Sequence, residues 1–168
     1  MLGKMKVAII GLLALAVSLP GSAMAQRVGE KFGDWVVECT ALGANQTVCS
    51  ISQTLISAQT RQTLVKFTLG RVSENNAVTL VALVPLGIDL TRPVTGSIDA
   101  NPGFTYTMET CVQRGCVATF PLGPAQILGL KNGGKLNIKF TMRGAEQEAV
   151  LTGSLNGITA GITAIGLE

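Results

Sequence analysis

The strongest constraint in this chain is a two-residue period in its apolar side chains. It is cleanest in KLNIKFTMR (135–143), where Leu136, Ile138, Phe140 and Met142 alternate with Lys, Asn, Lys, Thr and Arg. Successive side chains of an extended strand point to opposite faces, so such a segment buries one face and wets the other. DWVVEC (34–39) puts Trp35, Val37 and Cys39 on one face, and CSISQTL (49–55) does the same with Cys49, Ile51 and Leu55. LVKFTLG (64–70) aligns Val65, Phe67 and Leu69, and FTYTMETC (104–111) turns Phe104, Tyr106 and Met108 inward. CVATF (116–120) follows after a short turn, EAVLTGS (148–154) is a weaker case, and AVTLVALV (77–84), apolar on both faces, reads as a central strand. About eight short strands at this spacing predict an all-β antiparallel sandwich.

Three stretches depart from that period. In GPAQILGLKNGG (123–134), Pro124 suits a first helical position and Gly133-Gly134 a stop, which predicts one or two helical turns. The tail after Ser154 places Leu155, Ile158, Ile162 and Ile165 on one helical face, although Gly157 and Gly161 weaken such a helix by about 1 kcal/mol each. PLGIDLTRPVTGSIDANPG (85–103) is rich in turn formers and reads chiefly as a solvated crossover between sheets, with GIDL and SID as candidate short strands within it. It carries three charges, Asp89, Arg92 and Asp99, and binding residues concentrate in such loops.

The chain opens with Lys4 and Lys6, an uncharged apolar run from Val7 to Leu19, a Pro20-Gly21 break and Ala23-Met24-Ala25. That order predicts a signal peptide over 1–25, cleaved after Ala25, and one domain over 26–168 in the periplasm or at the cell surface. The run is shorter than the roughly 20 residues a membrane span needs, and no later stretch in the mature chain is longer. Of 13 basic residues two fall in the leader, which leaves 11 against 10 acidic ones. A near-neutral chain with no basic run has no electrostatic footprint for nucleic acid.

Cys39, Cys49, Cys111 and Cys116 all follow the leader, and an even number in an oxidising compartment reads as two disulfides. Three connectivities are open. Cys39–Cys49 with Cys111–Cys116 is favoured, because each pair flanks a polar turn-forming stretch and so faces across a hairpin. Zinc would require close CxxC-type pairs, and the intervals here are nine and four residues. A thiol oxidoreductase using Cys111 and Cys116 is the enzymatic alternative, although such pairs usually open a helix. The chain has no histidine, which removes Ser-His-Asp and Cys-His catalysis. Asp34 and Glu38, four apart on a strand, stand roughly 13 Å from one another, too far for a glycosidase pair. No phosphate loop, dinucleotide fingerprint or GxSxG serine appears. No catalytic residue, metal ligand or cofactor is therefore assigned.

Two blocks resemble a known family. FGDWVVECT with CSISQTL, and VPLGIDL with SIDANPGFTYTMETCVQRGCVATFPL, look like the invasion-associated locus B family of exported bacterial proteins. The matching residues are Gly33, Asp34, Trp35, Cys39, Cys49, Gln53, Pro85, Leu86, Gly87, Cys111, Gly115, Cys116 and Ala118, within about residues 31–154. The resemblance implies an immunoglobulin-like sandwich exported to the periplasm or surface, with founding members associated with entry into host cells. It supplies no catalytic residue. The combined expectation is a non-enzymatic module that binds an envelope or host-surface protein through loops, with an enzyme inhibitor as a variant of that reading. Asp89 and Arg92 in the long loop, and Gln113 and Arg114 at the tip of CVQRGC, are the candidate contact residues.

Overall fold

The computed structural model describes residues 28–43, 46–71 and 77–167; the expected leader and its cleavage site at Ala25 lie outside them. In chain order the elements are β1 (Lys31–Phe32), β2 (Trp35–Gly43), β3 (Gln46–Ile56), β4 (Thr63–Arg71), β5 (Val78–Val84), β6 (Thr95–Ile98), β7 (Phe104–Thr105), β8 (Thr107–Val112) and β9 (Gly115–Pro121). They continue with α1 (Pro124–Asn132), β10 (Lys135–Thr141), β11 (Glu148–Ser154) and α2 (Ile158–Ala164). Among the described residues the strands make a seven-stranded sheet, β1-β2-β3-β4-β5-β9-β8, and a four-stranded sheet, β11-β10-β6-β7. Every pairing is antiparallel, and the expected antiparallel sandwich with two disulfides and two short helices is what forms.

The two-residue period decides what lies between the sheets. Trp35, Val37, Ile51, Val65, Phe67 and Leu69 project inward from β2, β3 and β4, and Leu136, Ile138 and Phe140 from β10. Each fully buried side chain of this size contributes about 1.5–3 kcal/mol. The two helices close the open parts of the sandwich. Pro124 starts α1, and the Gln126 side chain accepts a bond from the Gly123 amide. α2 turns Ile158 and Ile162 into the core, with Leu155 and Ile165 beside them, as the tail pattern anticipates. Its Gly161 lies on Ile51, where an added Cβ would stand 3.0 Å from Ile51 Cδ1. The glycine that weakens the isolated helix is what lets it approach β3.

Two segments differ from the sequence reading. The 85–103 stretch is more than a solvated crossover, and its SID candidate falls at the end of a strand. Its middle forms β6, which pairs with β10 and β7, and Val94 and Ile98 are buried. Asp99 then holds the junction of α1 and β10, accepting bonds from the amides of Gly134 and Lys135. The expected single strand over 104–111 is two. β7 belongs to the smaller sheet and β8 to the larger, and the chain passes between them at Tyr106, whose amide donates to Val94 O. The inward alternation persists through the crossing, so periodicity alone does not mark the change of sheet.

On the outer face of the larger sheet the Lys66 ammonium donates to both carboxylate oxygens of Glu38, at 2.8 and 2.7 Å, bridging β2 and β4 across β3. Partial burial raises the Glu38 pKa, but the bonds from Lys66 and the Ser52 hydroxyl outweigh it and hold the carboxyl below its ordinary range. A depressed folded-state pKa gives stability that is present above the unfolded value, near 4.3, and lost as pH falls through the folded one. The pair is partly exposed, so it is worth less than about 1 kcal/mol. Lys66→Met is therefore expected to lower the melting temperature slightly at pH 6 and not at pH 2, measured by circular dichroism.

Candidate binding site

Four chain connections meet at one end of the sandwich, and strand register puts them there. β4 begins where β5 ends, with Lys66 opposite Leu83, so the 57–62 turn adjoins the exit of β5. Val84 at that exit pairs with Cys116, and Val112 pairs with Gly115, which places the Gln113-Arg114 tip alongside. The loop from 85 is held to the end of β10 by an Ile88–Met142 bridge and by bonds from Asp89 N to Thr141 O and Arg143 N to Gly87 O, both 2.8 Å. The 142–147 turn completes the set.

Ile56, Leu86, Leu90 and Val112 lie on these connections or at the strand ends that feed them, and each is between 47% and 59% exposed. Ile56 on β3 and Val112 on β8 are separated by β4, β5 and β9, a span of roughly 19 Å at one strand spacing each. Scattered exposed apolar residues are ordinary; these four share one end of the domain, while Val28, Leu42, Leu128 and Val150 are exposed elsewhere.

The structure brings the four candidate contact residues to this end, in two different states. Gln113 and Arg114 are exposed at the hairpin tip. Gly115 behind them has φ 146°, and a Cβ there would run into the Val84 carbonyl. Asp89 and Arg92 are engaged with their own loop. Asp89 Oδ1 accepts bonds from the Thr91 hydroxyl at 2.7 Å and the Thr91 amide at 3.0 Å, which hold its pKa below the ordinary range. Arg92 Nε stands 3.7 Å from Asp89 Oδ2, and its Nη1 donates to Glu146 O at 3.4 Å. These two shape the loop as much as they offer a contact.

The favoured disulfides form, Cys39–Cys49 between β2 and β3 and Cys111–Cys116 between β8 and β9, each joining directly opposed residues. Cys116 is only 2% exposed, and neither cysteine of its pair starts a helix, the position that would favour a thiolate. Closing loops of this length is worth about 2–3 kcal/mol each, so reduction of both is expected to shift the denaturant midpoint by the equivalent of about 5 kcal/mol. Arg114→Ala, at an exposed tip, is expected to change unfolding free energy by less than about 0.5 kcal/mol. Tyr106, the one phenol, is buried, and burial pushes its pKa far above the neutral range, away from acid–base use.

A second region gathers residues of the sequence blocks. Gly33 has φ 56°, and a Cβ on it would stand 2.5 Å from Asn156 O. Asp34 N donates to that same oxygen, and Trp35 Nε1 donates to Ser154 O at 3.0 Å. Gln53, buried in β3, accepts from Ser154 N at 2.8 Å and donates to Ser154 O and Asp34 O. The Gly-Asp-Trp segment and Gln53 therefore clamp the end of β11 to the larger sheet. They are a junction, and the missed partners, Ser154 and Asn156, carry no local signal because they lie over a hundred residues away in sequence. A shallow groove of about 420 Å³ also crosses the smaller sheet beside Ser97, Asn137 and Lys139. Asn137 there is already spent on Asp99 O and the Thr152 hydroxyl.

The family model for invasion associated locus B (IalB) protein matches residues 35–166. The chain belongs to the invasion associated locus B family. Two curated relatives, invasion protein B homologs of Brucella abortus strain 2308 and of biovar 1 strain 9-941, are each 33% identical over 158 residues, covering 94% of this chain and 89% of theirs. The crystal structure of invasion associated protein B from Bartonella henselae shares the fold, with TM-score 0.70 and 23% identity over 84% of this chain and 97% of the other. This membership agrees with the resemblance carried by the two sequence blocks. Family and disulfides are consistent with an exported protein, and no helix among the described residues is long and apolar enough to cross a membrane.

Proposed function

We propose that this family member is a non-enzymatic envelope module that binds a protein partner through the four-connection end of its sandwich. It acts as one domain over 26–168, in the periplasm or at the cell surface, once 1–25 is removed after Ala25. The observation that carries the reading is that Ile56, Leu86, Leu90 and Val112, all about half exposed, lie at the same end of the sandwich as the exposed Gln113-Arg114 tip. A disulfide directly behind that tip and a bridge from the long loop to β10 hold the surface in shape before any partner arrives, which lowers the ordering cost of binding. The curated relatives, named as invasion protein B homologs, support a role in contact with other cells or molecules. Affinity capture from envelope extract tests it. Specific enrichment over an unrelated sandwich domain of similar charge is expected, and equal recovery on both would refute it.

A further inference from the structure

The four-connection end carries a charge pattern as well as an apolar one. The connections 57–62, 85–94, 113–114 and 142–147 contain Arg61, Arg92, Arg114 and Arg143, four of the chain's six arginines and none of its seven lysines. They contain two acids, Asp89 and Glu146. The chain after residue 25 carries 11 basic and 10 acidic residues, so these few connections hold a local surplus that the rest of the sequence offsets. Arg61 and Arg114 are exposed and form no ion pair among the described residues. Arg61 is held at φ 59°, in the left-handed region, by bonds from its amide to Ser57 O and from Ser57 N to Gln62 O. A glycine or asparagine would occupy that backbone more cheaply, so the turn presents a guanidinium at a cost.

Resting on the loop-end reading above, we propose that the partner contributes an acidic segment with interleaved apolar side chains, whose carboxylates pair with Arg61 and Arg114 while its apolar groups cover Leu86 and Val112. Arginine rather than lysine suits this, because its planar fork binds carboxylates two bonds at a time and loses less water. A bare lipid surface is a poorer match: these connections hold no tryptophan, tyrosine or lysine, the residues that seat a domain in headgroups.

Fluorescence anisotropy with a twelve-residue alternating Leu-Glu peptide and its Leu-Lys counterpart tests the proposal, with phosphatidylglycerol vesicles as a third probe. The acidic peptide is expected to bind, more weakly as salt rises, and the basic one not to. Arg61→Gly and Arg114→Ala are each expected to weaken binding about five- to tenfold. Arg61→Gly should do so with an unchanged or higher melting temperature, since glycine relieves the left-handed backbone. Equal binding of both peptides, no effect of either arginine variant, or stronger binding to vesicles than to peptide would overturn it. Envelope capture separates this from the parent reading. Capture that survives both arginine variants but not Leu86→Asn overturns the acidic partner and leaves the loop end standing, whereas capture that survives all three overturns both.

Discussion

Gly157→Ala is expected to destabilise the protein by about 4 kcal/mol or more, enough to leave a domain of this size partly unfolded at 37 °C. Gly157 precedes α2 with φ 83°, where any other residue meets a backbone penalty of about 1 kcal/mol. The larger effect is steric. A Cβ there would overlap the Phe32 carbonyl and approach Gly33 N at 2.6 Å, and these are backbone atoms that cannot swing aside. α2 would have to lift from β1 and β2, uncovering Ile158 and Ile162. Gly144→Ala separates the two effects, because Gly144 has φ 81° with nothing within 4 Å of the added carbon. It should cost only about 1 kcal/mol. Similar losses for both variants in urea unfolding would show that the contact between the 33 and 157 turns is not what matters.

Gln53→Leu is expected to cost about 3 kcal/mol despite keeping nearly the same volume. Gln53 binds both backbone groups of Ser154 and also Asp34 O. Leucine leaves the Ser154 amide and the Asp34 carbonyl without these bonds in a buried setting, and each such group costs about 1–3 kcal/mol. Ser154 O retains the Trp35 indole bond, so the loss is partial. Gln53→Glu keeps an acceptor for Ser154 N but loses the donor for the two carbonyls. Its buried carboxylate should have a raised pKa, so this variant is expected to regain stability as pH falls toward 4, unlike Gln53→Leu. Parallel losses of the two variants at every pH would contradict the hydrogen-bond assignment.

The strands were legible because burial acts on every second residue, and β10, β4 and β9 follow their patterns closely. Both disulfides were legible for a related reason: each pair flanks a hairpin turn, so local geometry brings the sulfurs together. β6 was only partly legible, through SID, because just Gly96 and Ile98 mark its inner face within a stretch crowded with Pro, Gly and Asp. The change of sheet at Tyr106 was invisible because Phe104, Tyr106 and Met108 alternate inward on both sides of it. The Gly33–Gly157 contact depends on two turns far apart in the chain, which no local pattern records. At the candidate site the exposure of Gln113 and Arg114 followed from a short turn between cysteines. Leu86 and Leu90 read only as parts of a loop; their company with Ile56 and Val112 comes from strand register.

The central claim is that the four-connection end is the surface that meets the partner. Site-specific photo-cross-linking addresses it most directly, with a photoreactive residue placed at Leu86 or Val112 and, as controls, at the exposed Leu128 of α1 and Leu42 of β2. In cells, a discrete cross-linked product is expected from positions 86 and 112 and not from 128 or 42. Products from the control positions, with none from 86 or 112, would place the binding surface elsewhere and contradict the account.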